Sequence, residues 1–150
     1  MTSKAAVDEF LSRKTFALVG ASRGGKKFGN AALRGLKENG YRVIPVHPAA
    51  GTLEGLPCVR GLAAFAEPVD GVVVVVPPAE TEKVVREAHA AGIRRVWMQQ
   101  GAESAAAVRF CAENGMTAIH GECLLMFLRH GSRLHRFHRF LNGLFGKLPR

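Results

Sequence analysis

The sequence predicts a single doubly wound α/β domain with a mainly parallel five-stranded sheet, and three observations carry that expectation. Apolar, β-forming runs alternate with helical segments along the chain, which is the rhythm of a parallel sheet with crossover helices. The run Val69-Asp70-Gly71-Val72-Val73-Val74-Val75-Val76 is nearly all β-branched and suits a central strand covered on both faces. The opening run, Thr15-Phe16-Ala17-Leu18-Val19-Gly20-Ala21-Ser22, ends in glycine and small residues and then enters a glycine- and lysine-rich loop before a helix.

After that first strand, residues 30–39 read as a helix with Ala31, Leu33 and Leu36 among its inward candidates, stopped by Gly40. Residues 41–46 form the next strand. The segment 48–68 is irregular, punctuated by Gly51, Gly55, Pro57 and Gly61, with a short extended piece expected at Cys58-Val59 and a helical turn over 62–65. Pro77-Pro78 ends the valine-rich strand abruptly. A helix over 81–91 closes at Gly92, a strand follows over 94–99, a helix over 104–114 closes at Gly115, and the last strand runs over 116–120.

A chain of 150 residues, 47% of them hydrophobic, has material for one core of ordinary size without staples. Cys58, Cys111 and Cys123 are odd in number and far apart, with no Cys-x-x-Cys or Cys/His cluster; reduced thiols in a cytoplasmic protein are expected. Residues 1–14 are charged and lack a long apolar run, so neither a signal peptide nor a membrane span is expected. The net charge of +9 is unevenly placed. Six of the 21 lysines and arginines lie after Leu128 with no acid among them, leaving fifteen bases against twelve acids, or +3, on residues 1–128. The division is thus a domain over 1–128 and a basic extension over 129–150. The domain carries no basic stripe interleaved with aromatics, so no specific nucleic-acid partner is expected.

Right-handed crossovers place a ligand where the strand order reverses, at the carboxyl ends of the strands. Those ends are Gly20-Ala21-Ser22, Val46-His47-Pro48, Val76-Pro77-Pro78 and Gln99-Gln100-Gly101. Main-chain N–H groups and a helix N-terminus after the first strand make an anion site; small side chains at Ala21 and Ser22 admit a bulky diphosphate, and Lys26 and Lys27 add charge. A dehydrogenase fingerprint would read Gly-x-Gly-x-x-Gly with an acid at the end of the second strand. Here the loop is Gly20-Ala21-Ser22-Arg23-Gly24-Gly25 and the strand ends in His47-Pro48, which disfavours NAD and leaves NADP open.

Val19-Gly20-Ala21-Ser22, Gly40-Tyr41-Arg42-Val43-Ile44-Pro45-Val46-His47-Pro48, Val75-Val76-Pro77-Pro78, the block from Val96 to Ser104 and His120-Gly121-Glu122-Cys123 together resemble the small stand-alone CoA-binding proteins. Their Rossmann-like domain is similar to the N-terminal domain of the succinyl-CoA synthetase α subunit. The resemblance implies coenzyme A or an acyl-CoA as ligand. It places the pyrophosphate at Gly20, Ala21 and Ser22 and the adenine and ribose end at Val46, His47 and Pro48. Val76, Pro77 and Pro78 become the wall beside adenosine and pantetheine. Lys26 and Lys27 are candidates for a phosphate by charge and position. The family usually has Asn where this chain has His47, and a histidine at a phosphate makes binding pH-dependent. The ligase's phosphorylated histidine belongs to a further domain, so no ligase activity and no catalytic residue are expected here.

Cys123 invites a mixed disulfide with the CoA thiol, against the alternative of an inert buried cysteine; neighbours in an extended segment point to opposite faces, so the adjacent placement of His120 and Glu122 does not deliver a hydrogen-bonded nucleophile pair. From Leu124 to Phe145 apolar residues recur at near-helical spacing with arginines on other faces, an amphipathic helical extension for packing on its own domain or a sister subunit, a homodimer included, or for a membrane surface. Two readings of other classes stay open: a small NADP- or nucleotide-dependent enzyme, and a regulatory module that uses the basic tail.

Overall fold

The computed structural model describes residues 2–49 and 51–128; the extension expected over 129–150 lies outside them. Helix α1 (Lys4–Leu11) leads into β1 (Thr15–Val19), α2 (Phe28–Glu38) and β2 (Arg42–Val46). A small hairpin, β3 (Thr52–Leu53) and β4 (Leu56–Pro57), and a 3-10 turn (Leu62–Ala64) precede β5 (Gly71–Val74). Then come α3 (Pro78–Ala90), β6 (Arg95–Gln99), α4 (Ala105–Glu113), β7 (Thr117–Glu122) and a second 3-10 turn (Leu124–Met126). The main sheet has the order β2-β1-β5-β6-β7, and every pairing in it is parallel. The five strands and three of the helices are the expected ones.

Two-residue alternation along the strands divides the core in two. Phe16, Leu18, Val73, Trp97 and Ile119 point to the face covered by α1, α2 and the turn after β7; Ala17, Val72, Val74, Val96 and Met98 point to the face covered by α3 and α4. The first face is aromatic. Phe10 stacks on Phe16 at 4.6 Å and meets Trp97 edge-on at 5.4 Å, and Trp97 meets Phe127 at 5.6 Å. Leu124, Leu125, Met126 and Leu128 are buried in this cluster, so the apolar run after β7 begins by packing on its own domain.

Two unexpected elements and one displaced helix start have identifiable reasons. Helix α1 is short, but Ser3 caps it, its Oγ accepting from the Ala6 N–H at 3.2 Å, and it buries Val7 and Phe10. Helix α3 starts at Pro78 rather than 81, because proline is well suited to a first helical position, where its missing N–H has no intrahelical role. The hairpin at 52–57 has strands too short to leave a periodic signal.

Candidate functional site

The chain leaves β1 toward β2 on one side, while β5 lies on the other; the switch point is therefore at the carboxyl ends of β1 and β5, where α/β sheets bind ligands. Val19 pairs with Val46 on one flank and Val74 on the other. This register sets Gly20, His47 and Val75 side by side at one sheet edge.

Two glycines close that edge. Gly20 has φ +127°, and a Cβ there would sit 2.1 Å from the Val75 carbonyl oxygen. On α2, a Cβ at Gly29 would lie 2.5 Å from the Gly20 oxygen and 2.8 Å from the Ala21 nitrogen. Main chain touches main chain across β5, β1 and the first turn of α2, which only glycine permits. Sequence reasoning missed Gly29, although its place one residue into the helix after a glycine loop is the available signal.

The loop between β1 and α2 is held from inside by Asn30, which is fully buried. Its Oδ1 accepts from the Ser22 N–H at 3.0 Å and faces the Ser22 hydroxyl at 3.4 Å, while Nδ2 donates to the Ser22 carbonyl at 2.8 Å. The Ser22 amide is thus committed to the protein. Nδ2 also donates to Glu54 Oε2 at 3.2 Å, and Arg34 donates to Glu54 Oε1 at 2.8 Å. The Arg34 guanidinium holds the Glu54 carboxyl below its ordinary range against the opposing effect of burial.

Outside that clamp the loop is cationic. Arg23, Lys26 and Lys27 are exposed and take part in none of the ion pairs among the described residues. Lys27 is the N-cap of α2, in extended backbone and with no side-chain cap bond, so these cations share a corner with the positive end of a helix. Nearby, the His47 N–H donates to the Val59 carbonyl at 2.9 Å and its Nδ1 accepts from the Ala49 N–H at 3.1 Å. Accepting at Nδ1 leaves the ring proton of neutral His47 on Nε2. Pro48 is exposed, Val76 is half-buried, and Pro77 and Pro78 form the exposed start of α3. Thr81 anchors that start by donating to the Ala102 carbonyl at 2.5 Å.

Along the same carboxyl edge, the β6–β7 side is closed by packing. Cys123 is 1% exposed and burial pushes its thiol up, so the fold withdraws it from the thiol exchange a mixed disulfide needs. Gln99 Oε1 accepts from the Leu124 N–H at 3.0 Å. The His120 main chain is tied to Thr2 Oγ1 through both its N–H and its carbonyl, each at 3.0 Å. The structure does not bring His120, Glu122 and Cys123 together as a hydrogen-bonded set.

The corner brings together three exposed cations that are in no ion pair among the described residues and the N-terminus of α2, the donor chemistry of an anion site. The parallel strand order and its switch point define a Rossmann-like α/β domain. A family model described as a CoA binding domain matches residues 14–129, and the chain belongs to that family. The resemblance read from the motif blocks is borne out. The chain is 29% identical over 123 residues to the uncharacterized protein YneT of Bacillus subtilis, spanning 81% of this chain and 91% of YneT. It is 28% identical over 81 residues to an ADP-forming acetate–CoA ligase of Methanocaldococcus jannaschii, covering 54% of this chain but 12% of the ligase. A solved structure of a conserved hypothetical protein from Pyrococcus furiosus is similar at 39% identity and a TM-score of 0.71, covering 75% of this chain and 97% of that one.

Proposed function

We propose that this protein binds coenzyme A or an acyl-CoA in the crevice at the carboxyl ends of β1, β2 and β5. The observation that carries the reading is the exposed cationic corner built on Gly20 and Gly29, in a chain of the CoA binding domain family. Gly20, Ala21 and the neighbouring loop main chain meet the diphosphate, with the Ser22 hydroxyl at its rim. Lys26 and Lys27, joined by Arg23, neutralise phosphate charge. Val46, His47 and Pro48 border the adenine and ribose end, and Val76, Pro77 and Pro78 form the wall beside adenosine and pantetheine. The role is binding, with no chemical step assigned to any residue of this domain, and the similarity to a small part of the acetate–CoA ligase supports a CoA-holding module.

NADP is the competing ligand, because the β2 end carries His47 in place of the acid that selects NAD. Thermal-shift and calorimetric titration with CoA, acetyl-CoA, NAD and NADP separates them. A ligand at a hundred times its Kd stabilises by about 2.7 kcal/mol, so CoA is expected to raise the melting temperature while NAD does not. No shift and no heat with CoA, or a larger response to NADP, overturns the reading.

A further inference from the structure

Glu54 is the one non-glycine residue with positive φ among the described residues, at +50°, next to Gly55 at +76°. The pair makes the two-residue turn between β3 and β4, a turn that usually takes Asn-Gly, Asp-Gly or Gly-Gly because both positions are left-handed. A glutamate held there by its surroundings marks a site where another demand outweighs backbone preference. The hairpin has only two residues in each strand, too few to hold itself. It is fastened by buried Leu53 and by the Glu54 side chain, which reaches back across the β1–α2 loop to Asn30 and Arg34.

We infer that Glu54 is a positioning residue for the ligand crevice, setting the main chain of Ser22 from the hairpin tip through Asn30; the inference rests on the binding role proposed above. Three contacts in series make the relay: Arg34 to Glu54, Glu54 to Asn30, Asn30 to Ser22. The guanidinium of Arg34 only donates, while the Asn30 amide both donates and accepts. A carboxylate only accepts, so Glu54 requires Asn30 to turn Nδ2 toward it. That orientation puts Oδ1 on the Ser22 N–H and lets the same Nδ2 serve the Ser22 carbonyl. Asn30 is 0% exposed, so water cannot replace a partner that is lost, and an unmet buried amide is costly. The Glu54 side chain is 19% exposed against 47% for Arg34, which makes Glu54 the inner link and Arg34 its outer brace. A Cβ at Gly25 would stand 3.7 Å from Glu54 Oε2, so the carboxylate also lies against the far side of the loop. The hairpin, remote in sequence from the first strand, thereby becomes part of the frame of the anion corner.

Glu54→Gln tests this with little change of shape. One glutamine oxygen can accept from Arg34 or from Asn30, and its NH2 then faces the other donor. Two readings are taken on Glu54→Gln and on Arg34→Met: CoA affinity by calorimetry, and hydrogen exchange of the Ser22 amide without ligand. Glu54→Gln is expected to weaken CoA binding about fivefold, the factor for one net hydrogen bond, and to speed Ser22 exchange, with the exchange of the β5 and β6 amides unchanged. Arg34→Met is expected to give a smaller change of the same sign in both. A merely structural role would lower protection throughout the sheet and leave affinity alone once folded, and that pattern overturns the inference. If the native protein binds no CoA, the binding reading fails, and the positioning role for a CoA crevice falls with it whatever Ser22 exchange does. If the native protein binds and Glu54→Gln binds equally well, the positioning role alone falls.

Discussion

The two ends of the parallel sheet are built on opposite electrostatic plans. At the amino end, Asp70 accepts from the Lys14 and Thr15 N–H groups at 3.1 and 3.0 Å. Glu9 is shared there by Arg13 at 2.6 Å and Arg95 at 3.0 Å. These charged groups answer one another, and the carboxyls of Glu9 and Asp70 are held below their ordinary values, Glu9 first by Arg13 and Asp70 first by the Thr15 amide. At the carboxyl end, in the loop between β1 and α2, Arg23, Lys26 and Lys27 are exposed and in no ion pair among the described residues. One end uses polar groups to hold the fold together; the other keeps its cations available. The difference lies in whether the fold itself answers the charge.

The largest expected effect falls on the open end, where it is purely steric. Gly20→Ala places a Cβ against the Val75 carbonyl at a backbone angle that alanine disfavours, so the loss of stability should exceed about 3 kcal/mol; a denaturant midpoint near that of the native protein would refute the tight corner. Next, Asp70→Ala removes two hydrogen bonds to a charged acceptor and should cost about 1–2 kcal/mol while CoA affinity stays as it was, since Asp70 lies at the opposite end. The same substitution carries a pH signature. The folded Asp70 pKa lies below its ordinary 3.8, so its contribution is complete above that value and is lost as acid brings the pH down through the folded pKa. Urea titrations at pH 6 and pH 3 should therefore show the gap between native protein and Asp70→Ala narrowing at pH 3; a constant gap would sever Asp70 from the argument.

Smaller still is the paired Lys26→Ala, Lys27→Ala change. It should leave the melting temperature in place and weaken CoA binding by roughly threefold to tenfold, with a shallower dependence on salt, as expected of exposed charges acting on a phosphate. A fall in stability with unchanged affinity would erase the contrast between the ends.

Much of this was legible in local pattern. The β-branched run at 69–76 declared a buried central strand, which the fold confines to 71–74, and Gly20 after an apolar run declared the turn at the switch point. Helix α1 was legible in principle, since Ser3 and the spacing of Val7, Phe10 and Leu11 mark a capped amphipathic turn, but eight residues among five charges make a faint signal. The Asn30–Glu54 contact joins residues 24 apart across two elements; no periodicity encodes it, because periodicity reports only which side of its own element a residue faces.

By itself the sequence determined which segments become strands and helices and which residues end them, since these depend on near neighbours: side-chain branching, alternation, caps and the freedom of glycine. Only the tertiary structure decided which polar groups are already answered. Whether the Ser22 amide, the Glu54 carboxylate or the Lys26 ammonium is available to a ligand depends on what the fold brings within about 3 Å of it, and that distance is set by packing between elements far apart in the chain.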